Sequence, residues 1–166
     1  MLSTIADNGT YHQAHLIGYW QPQGSADARQ TPKVAVHAVL TPAQDADVQY
    51  AMEQTTIDGT GAEAVTFGRQ HPGTVISKTG TTVSAHSGFF LGATSQYALV
   101  VGMFSANVQP LSDSLSVLGG GSSAYWPTKI WNAFAAAKFG AAAAPFPTDP
   151  AFSGQAWNQA GEPAAP

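Results

Sequence analysis

The feature that most constrains this chain is a set of three apolar segments separated by short polar turns. Thr74-Val75-Ile76 leads directly into Ser77-Lys78-Thr79-Gly80-Thr81-Thr82. Gly88-Phe89-Phe90-Leu91-Gly92 and Tyr97-Ala98-Leu99-Val100-Val101-Gly102 follow, after a polar connection over Val83 to Ser87. β-Branched and aromatic runs bounded by Gly, Ser and Thr read as strands, so three antiparallel strands are expected here. Lys-Thr-Gly-Thr at the end of the first strand sets a cation and two hydroxyls beside a residue with no side chain. A ligand or another backbone can come close at such a Gly. The combination suits recognition of an anion.

Around this centre the chain alternates helix and extended signals. Met1, Leu2, Ile5 and Ala6 are apolar at helical spacing, and Asn8-Gly9 is a helix stop; Met1 to Asp7 reads as the last turns of a longer helix. Ala14 to Gln21 and Lys33 to Leu40 read as a β-hairpin around Pro22-Gln23-Gly24-Ser25-Ala26-Asp27. Thr41-Pro42 opens a helix with Thr41 as N-cap; Val48, Ala51, Met52 and Thr55 form its expected face, and Gly59-Thr60-Gly61 its end. A loop through Gly68 to Gly73 precedes the motif strand, and Gly119 to Ser123 reads as a flexible loop. Tyr125 to Phe139 is the clearest helix, with Ile130, Phe134 and Ala137 on one stripe, Trp131, Ala135 and Lys138 beside it, and Gly140 as the stop. Trp126 and Trp131 are expected to anchor it in the core.

Composition narrows the function. A net charge of -4 with no basic cluster argues against nucleic-acid partners and electrostatic membrane binding. No cysteine is present, so neither a disulfide framework nor a thiolate nucleophile is available. No apolar run approaches the ~18 residues of a membrane span, and no signal-peptide pattern opens the chain; targeting information is expected upstream. His12-x-x-His15 lacks the helix or carboxylate partner of a metal site, and His37, His71 and His86 read as surface groups. Ser84 and Ser87 lack any signature of an adjacent base.

Several landmarks, in order, resemble the transpeptidase domain of bifunctional (class A) penicillin-binding proteins. They are Thr4 to His12, Gly59-Thr60-Gly61, the Lys-Thr-Gly-Thr-Thr box of Lys78 to Thr82, and Phe89-Phe90-Leu91-Gly92. Pro127 to Trp131 with Phe134, and Phe146-Pro147, complete the series. The resemblance spans roughly residues 1–150 and implies the C-terminal part of that domain, with 151–166 a Pro/Ala-rich tail. It implies an α/β fold of α+β type, penicillin-recognising and β-lactamase-like: an antiparallel sheet with a C-terminal helix packed on one face. It further implies a peptidoglycan D,D-transpeptidase that works through an acyl-serine, binds stem peptides and β-lactams, and uses no metal or organic cofactor. The implied place is the extracytoplasmic face of the bacterial plasma membrane, with the anchor upstream.

By the same resemblance Lys78 shapes the field at the nucleophile, and Thr79 and Thr81 hold the substrate carboxylate. The Thr81 N–H is an oxyanion donor, while Gly80 lets the acyl donor lie along the strand and Thr82 completes the substrate-binding box. The family's other two motifs are not found in their places. Lys33, Lys78, Lys129 and Lys138 follow Gln30, Val75, Trp126 and Ala135 by three residues, so the chain contains no Ser-x-x-Lys. Ser105-Ala106-Asn107 comes after the Lys-Thr-Gly strand instead of before it and reads as coincidence. The implied nucleophile and relay serine therefore lie upstream, on the rest of the same domain, and this chain alone should be inactive. Two alternatives stand beside this reading: a non-catalytic ligand-binding module, or a D,D-carboxypeptidase or β-lactamase of the same fold. An ordinary edge strand is the lesser, non-functional alternative for the Lys78 box.

Residues 151–166 are rich in Ala, Pro and Gly and short of aliphatic side chains, so they offer little surface to bury. Deleting Ser153 to Pro166 is expected to leave the melting temperature nearly unchanged; a fall of many degrees would show that Trp157 docks on the body.

Overall fold

The computed structural model describes residues 1–24, 29–61, 66–105, 115–119, 124–139 and 144–146. The tail, Gly140 and most of the Gly119 to Ser123 loop lie outside them, as do Ala106 and Asn107. The elements in order are α1 (Leu2–Ala6), β1 (Thr10–His12), β2 (Val36–Ala38), α2 (Pro42–Ile57), α3 (Thr66–Gln70), β3 (Ile76–Thr81), β4 (Ser87–Ala93), β5 (Ala98–Phe104) and α4 (Tyr125–Lys138). Single 3-10 turns lie at Val83–Ala85 and Leu115–Leu118. Among the described residues no helix is long and apolar enough to cross a membrane.

The centre is the expected antiparallel sheet, in the order β3-β4-β5. Lys78 stands opposite Leu91, which stands opposite Val100; Thr79 stands opposite Phe90, and Phe90 opposite Val101. Side chains alternate across a sheet, so this register sorts the residues into two faces. One carries Ser77, Thr79, Phe90, Gly92, Leu99 and Val101, and is covered by α4 and α3 through Phe67, Trp131, Ala135 and Phe139. The other carries Ile76, Lys78, Leu91, Ala93 and Val100. Its Ile76–Ala93 end is covered by Leu2 and Ile5 of α1 and by Phe146.

Lys78 to Thr81 stand at the end of the first central strand, as expected, with Thr82 just beyond it. Two local readings shift. Val36–Ala38 forms a strand as expected, but its partner is Thr10–His12; within Ala14 to Gln21 the described residues show a bridge at Trp20, to Gln30. The cause is the end of α1, where Asn8 and Gly9 take positive φ (50° and 78°) and turn the chain straight into β1. A Cβ on Gly9 would stand 2.8 Å from Leu40 O, so the turn requires glycine there. Between Gly61 and Gly73, α3 forms where a loop was expected.

α2 begins as its sequence dictates. Gln44 N donates to Thr41 Oγ1 and Thr41 N to Gln44 Oε1, a reciprocal cap with Pro42 at the first position. Its inner face is a surprise. Asp45, Gln49, Glu53 and Thr56 are buried, while Val48, Met52 and Thr55 are half-buried and Ala51 is exposed.

α4 is also rotated from expectation. Pro127, Thr128, Trp131 and Ala135 point inward, while Ile130 and Phe134 remain 48% and 42% exposed. Trp126 is exposed too, its Nε1 donating to Leu118 O at 3.1 Å. Trp131 settles the rotation. Its indole fills the hollow over Gly92, and its Nε1 donates to Gly92 O at 3.1 Å. A Cβ on Gly92 would run into the indole ring.

Gly92→Ala should therefore force α4 off the sheet and cost about 1–3 kcal/mol, while Trp131→Ala should cost about 3–5 kcal/mol. Urea unfolding followed by tyrosine fluorescence or circular dichroism measures both; a neutral Gly92→Ala would mean that the indole seat is slack.

Candidate functional site

β3 is an edge strand of its sheet, and α2 lies along that edge. Backbone groups alternate in direction along a strand, and Thr82 N donates to Ser87 O, toward β4. Val75, Ser77, Thr79 and Thr81 accordingly turn their backbone groups to the outer edge. The last turn of α2 closes the first half of it. Thr56 Oγ1 donates to Val75 O at 3.4 Å and lies 2.7 Å from Ser77 Oγ; Thr55 Oγ1 donates to Ser77 O and lies 3.0 Å from Ser77 Oγ. In the Gly59-Thr60-Gly61 turn, Thr60 Oγ1 is 2.7 Å from Thr79 Oγ1. Three threonines thus seat the motif strand on the end of α2.

The box residues divide between the two faces. Lys78 is exposed on the face shared with Leu91 and Val100, and its Nζ donates to Thr79 O at 3.2 Å. Thr79 stands on the opposite face, its hydroxyl meeting Thr60. Gly80 packs beside Phe89, whose side chain begins 3.5 Å from where a Cβ would stand. Thr81 is exposed at the end of β3.

Thr82 closes the turn that follows. Its Oγ1 accepts from Ser87 N at 2.9 Å and lies 2.9 Å from Ser87 Oγ. Within that turn Ser84 and Ala85 take φ of 61° and 56°, a strained pair for residues with a side chain.

The other residues singled out in the sequence do not converge. His12 Nε2 bonds Asp7 Oδ2 at 2.7 Å, and His15 Nδ1 donates to Gln13 O at 3.2 Å. His37 stacks on Tyr11 and His71 leans on Phe67. His86 is half-buried just before β4, and among the described residues its buried Nδ1 has no hydrogen-bond partner. Sequence reading missed Thr55 and Thr56 as supports of the site. The signal was present in two adjacent threonines just before the Gly-Thr-Gly turn, a place where hydroxyls can meet a neighbouring strand.

Over residues 1–112 the chain matches the model of the penicillin binding protein transpeptidase domain. The chain belongs to that family. No curated protein matches it. The matched region runs through the whole motif sheet and stops before α4, so the transpeptidase family covers every box residue from Lys78 to Thr82. The threonine seat on α2 lies within it as well.

The seat should be measurable. Thr56→Val removes one hydroxyl and leaves Ser77 Oγ with one partner fewer, at a cost of about 1–2 kcal/mol. Chemical denaturation checks this; an unchanged midpoint would show that Thr55 alone holds the strand.

Proposed function

We propose that this chain is the C-terminal portion of a peptidoglycan D,D-transpeptidase of the class A type, and that it supplies the Lys-Thr-Gly wall of the active site. The nucleophilic serine and the relay serine come from residues outside the chain, on the upstream part of the same domain. In the reaction the serine oxygen attacks the penultimate D-Ala carbonyl, the terminal D-Ala leaves, and an amine of a second stem peptide takes the acyl group. β-Lactams enter as acyl donors that the serine cannot release. The site of action is the outer face of the bacterial plasma membrane.

The observation that carries this reading is the Lys-Thr-Gly-Thr-Thr box on the edge of β3. A carboxylate at that edge has two hydroxyls and a cation to meet. Lys78 contributes positive field near the nucleophile. Thr79 and Thr81 hold the substrate carboxylate. A hydroxyl has one donor and two acceptor sites, so Thr60 can donate to Thr79 while the Thr79 proton serves the ligand. The Thr81 N–H is directed to the edge, where it serves as an oxyanion donor, and Gly80 lets the extended peptide add alongside the strand.

The bare part of the sheet supports an upstream partner. Val100 and Phe104 are 52% and 67% exposed on the face of Lys78, beyond the end that α1 covers. The C-terminal landmarks around Pro127 to Trp131 support the class A assignment. The absence of Ser-x-x-Lys from this chain keeps one other reading in play, a non-catalytic binder that retains the ligand strand.

Exposed to a fluorescent penicillin, the isolated chain is expected to remain unlabelled and to self-associate through its bare sheet face. Adding the upstream part of the domain should restore labelling on that part only, and Thr81→Val should then slow acylation roughly ten- to hundredfold, from the ~1.5–3 kcal/mol of a hydrogen bond to a charged group. A labelled serine within residues 1–166 would overturn the assignment. Failure of any upstream part to acylate in its presence would favour the binder.

A further inference from the structure

The polar face of α2 holds an imbalance that the sheet does not explain. Asp45 and Gln49, one turn apart, are each 1% exposed and face the end of α1. Gln49 Nε2 donates to Ile5 O at 2.6 Å and to Asp45 Oδ2 at 2.7 Å. An amide nitrogen has two hydrogens, so both are committed. Among the described residues, Asp45 Oδ1 and Gln49 Oε1 are buried acceptors with no hydrogen-bond partner.

The charged groups around this pair do not relieve it. Asp7, just after α1, is a second anion that acts on Asp45, and its own partner is His12 of β1. α1 itself carries no charged side chain, Met1 before it contributes its amino group, and α2 contributes Asp47 and Glu53. Lys78 of β3 has its Nζ on Thr79 O. Among the described residues no basic side chain pairs with Asp45. Ionised, Asp45 would be a buried charge with one hydrogen bond and a like charge nearby.

We propose that Asp45 and Gln49 form a proton-operated latch between α2 and the end of α1, tight when Asp45 carries a proton and loosened when it ionises. The buried charge is the reason. A proton on Asp45 removes that charge while Oδ2 keeps its bond from Gln49 Nε2. Burial, and then the Asp7 carboxylate, push Asp45 up from 3.8 to about 6.

The sign follows from linkage. A carboxyl that holds its proton more tightly when folded makes the fold most stable below its unfolded value, and that stability is lost as pH rises through the folded one. The window therefore runs from 3.8 to about 6, and mild acid strengthens the latch. Because α2 also carries the threonine seat of β3, the latch ties the α1 end of the molecule to the motif strand. None of this depends on the acyl-transfer reading.

The test is the stability of the 166-residue chain between pH 7.5 and 5.0. The folding equilibrium constant is expected to rise about tenfold on acidification. Asp45→Asn should be the more stable protein at pH 7.5 and should lack the rise. Imidazoles in general also change charge in this range, so His12→Gln is the control and should keep it. Carboxyl carbon NMR on the unsubstituted chain should give Asp45 a midpoint near 6, a reading that needs no variant to fold. A midpoint in the ordinary carboxylate range, a rise that survives Asp45→Asn, or one that vanishes in His12→Gln would each overturn the latch.

Discussion

An edge strand presents a row of backbone groups with no neighbouring strand to receive them, and β3 is such a strand. The end of α2 meets the first of these groups with side-chain hydroxyls: Thr55 and Thr56 serve Val75 O and Ser77 O, and both reach Ser77 Oγ. Beyond the helix, Thr60 reaches the Thr79 hydroxyl and Lys78 Nζ the Thr79 carbonyl. A fourth strand in place of α2 would instead have paired with the edge along its length. The register of β4, the cover from α4 and the turn at Thr82 all take their positions from a β3 held in this way.

The same helix shows how an inward face can be polar without being disordered. Apolar side chains would have packed against α1 and the sheet but offered nothing to the carbonyls of β3 or to Ile5 O. Asp45, Gln49 and Thr56 meet those groups or one another instead. The requirement explains why half-buried Val48 and Met52 flank the buried face instead of forming it.

Much of this was legible in the sequence. The three central strands, the Thr41 cap, the Asn8-Gly9 stop and the last helix all follow from local chemistry: β-branched runs, a hydroxyl before Pro, positive φ at Gly. What was not legible depends on partners. In α4, Ile130, Phe134, Trp131 and Ala135 span so wide an apolar arc that periodicity cannot choose the inward side; the hollow at Gly92, 39 residues before Trp131, chooses it. In α2 a rule that buries apolar residues selects Val48 and Met52 and passes over Asp45 and Gln49. β1 pairs through exposed residues whose contact is a Tyr11–His37 stack, and alternation of polarity carries no trace of that. The family was readable because a motif records chemistry directly, whereas the threonines that seat β3 act through a fold that has first to form.

Strand geometry has one further consequence for the box. Successive side chains leave a strand on opposite faces, so Lys78 and Thr79 start apart, the lysine on the Leu91 face with its Nζ turned back to Thr79 O and the threonine toward the Gly59-Thr60-Gly61 turn. No ligand lying flat on either face can meet both. A ligand that meets both has to straddle the edge of β3, in the stretch beyond Ser77 where the cover from α2 ends. There its own backbone can run beside the strand, with Gly80 offering no side chain against it. For the proposed site, the alternation that splits Lys78 from Thr79 favours an extended, edge-bound ligand over a compact one seated on a face.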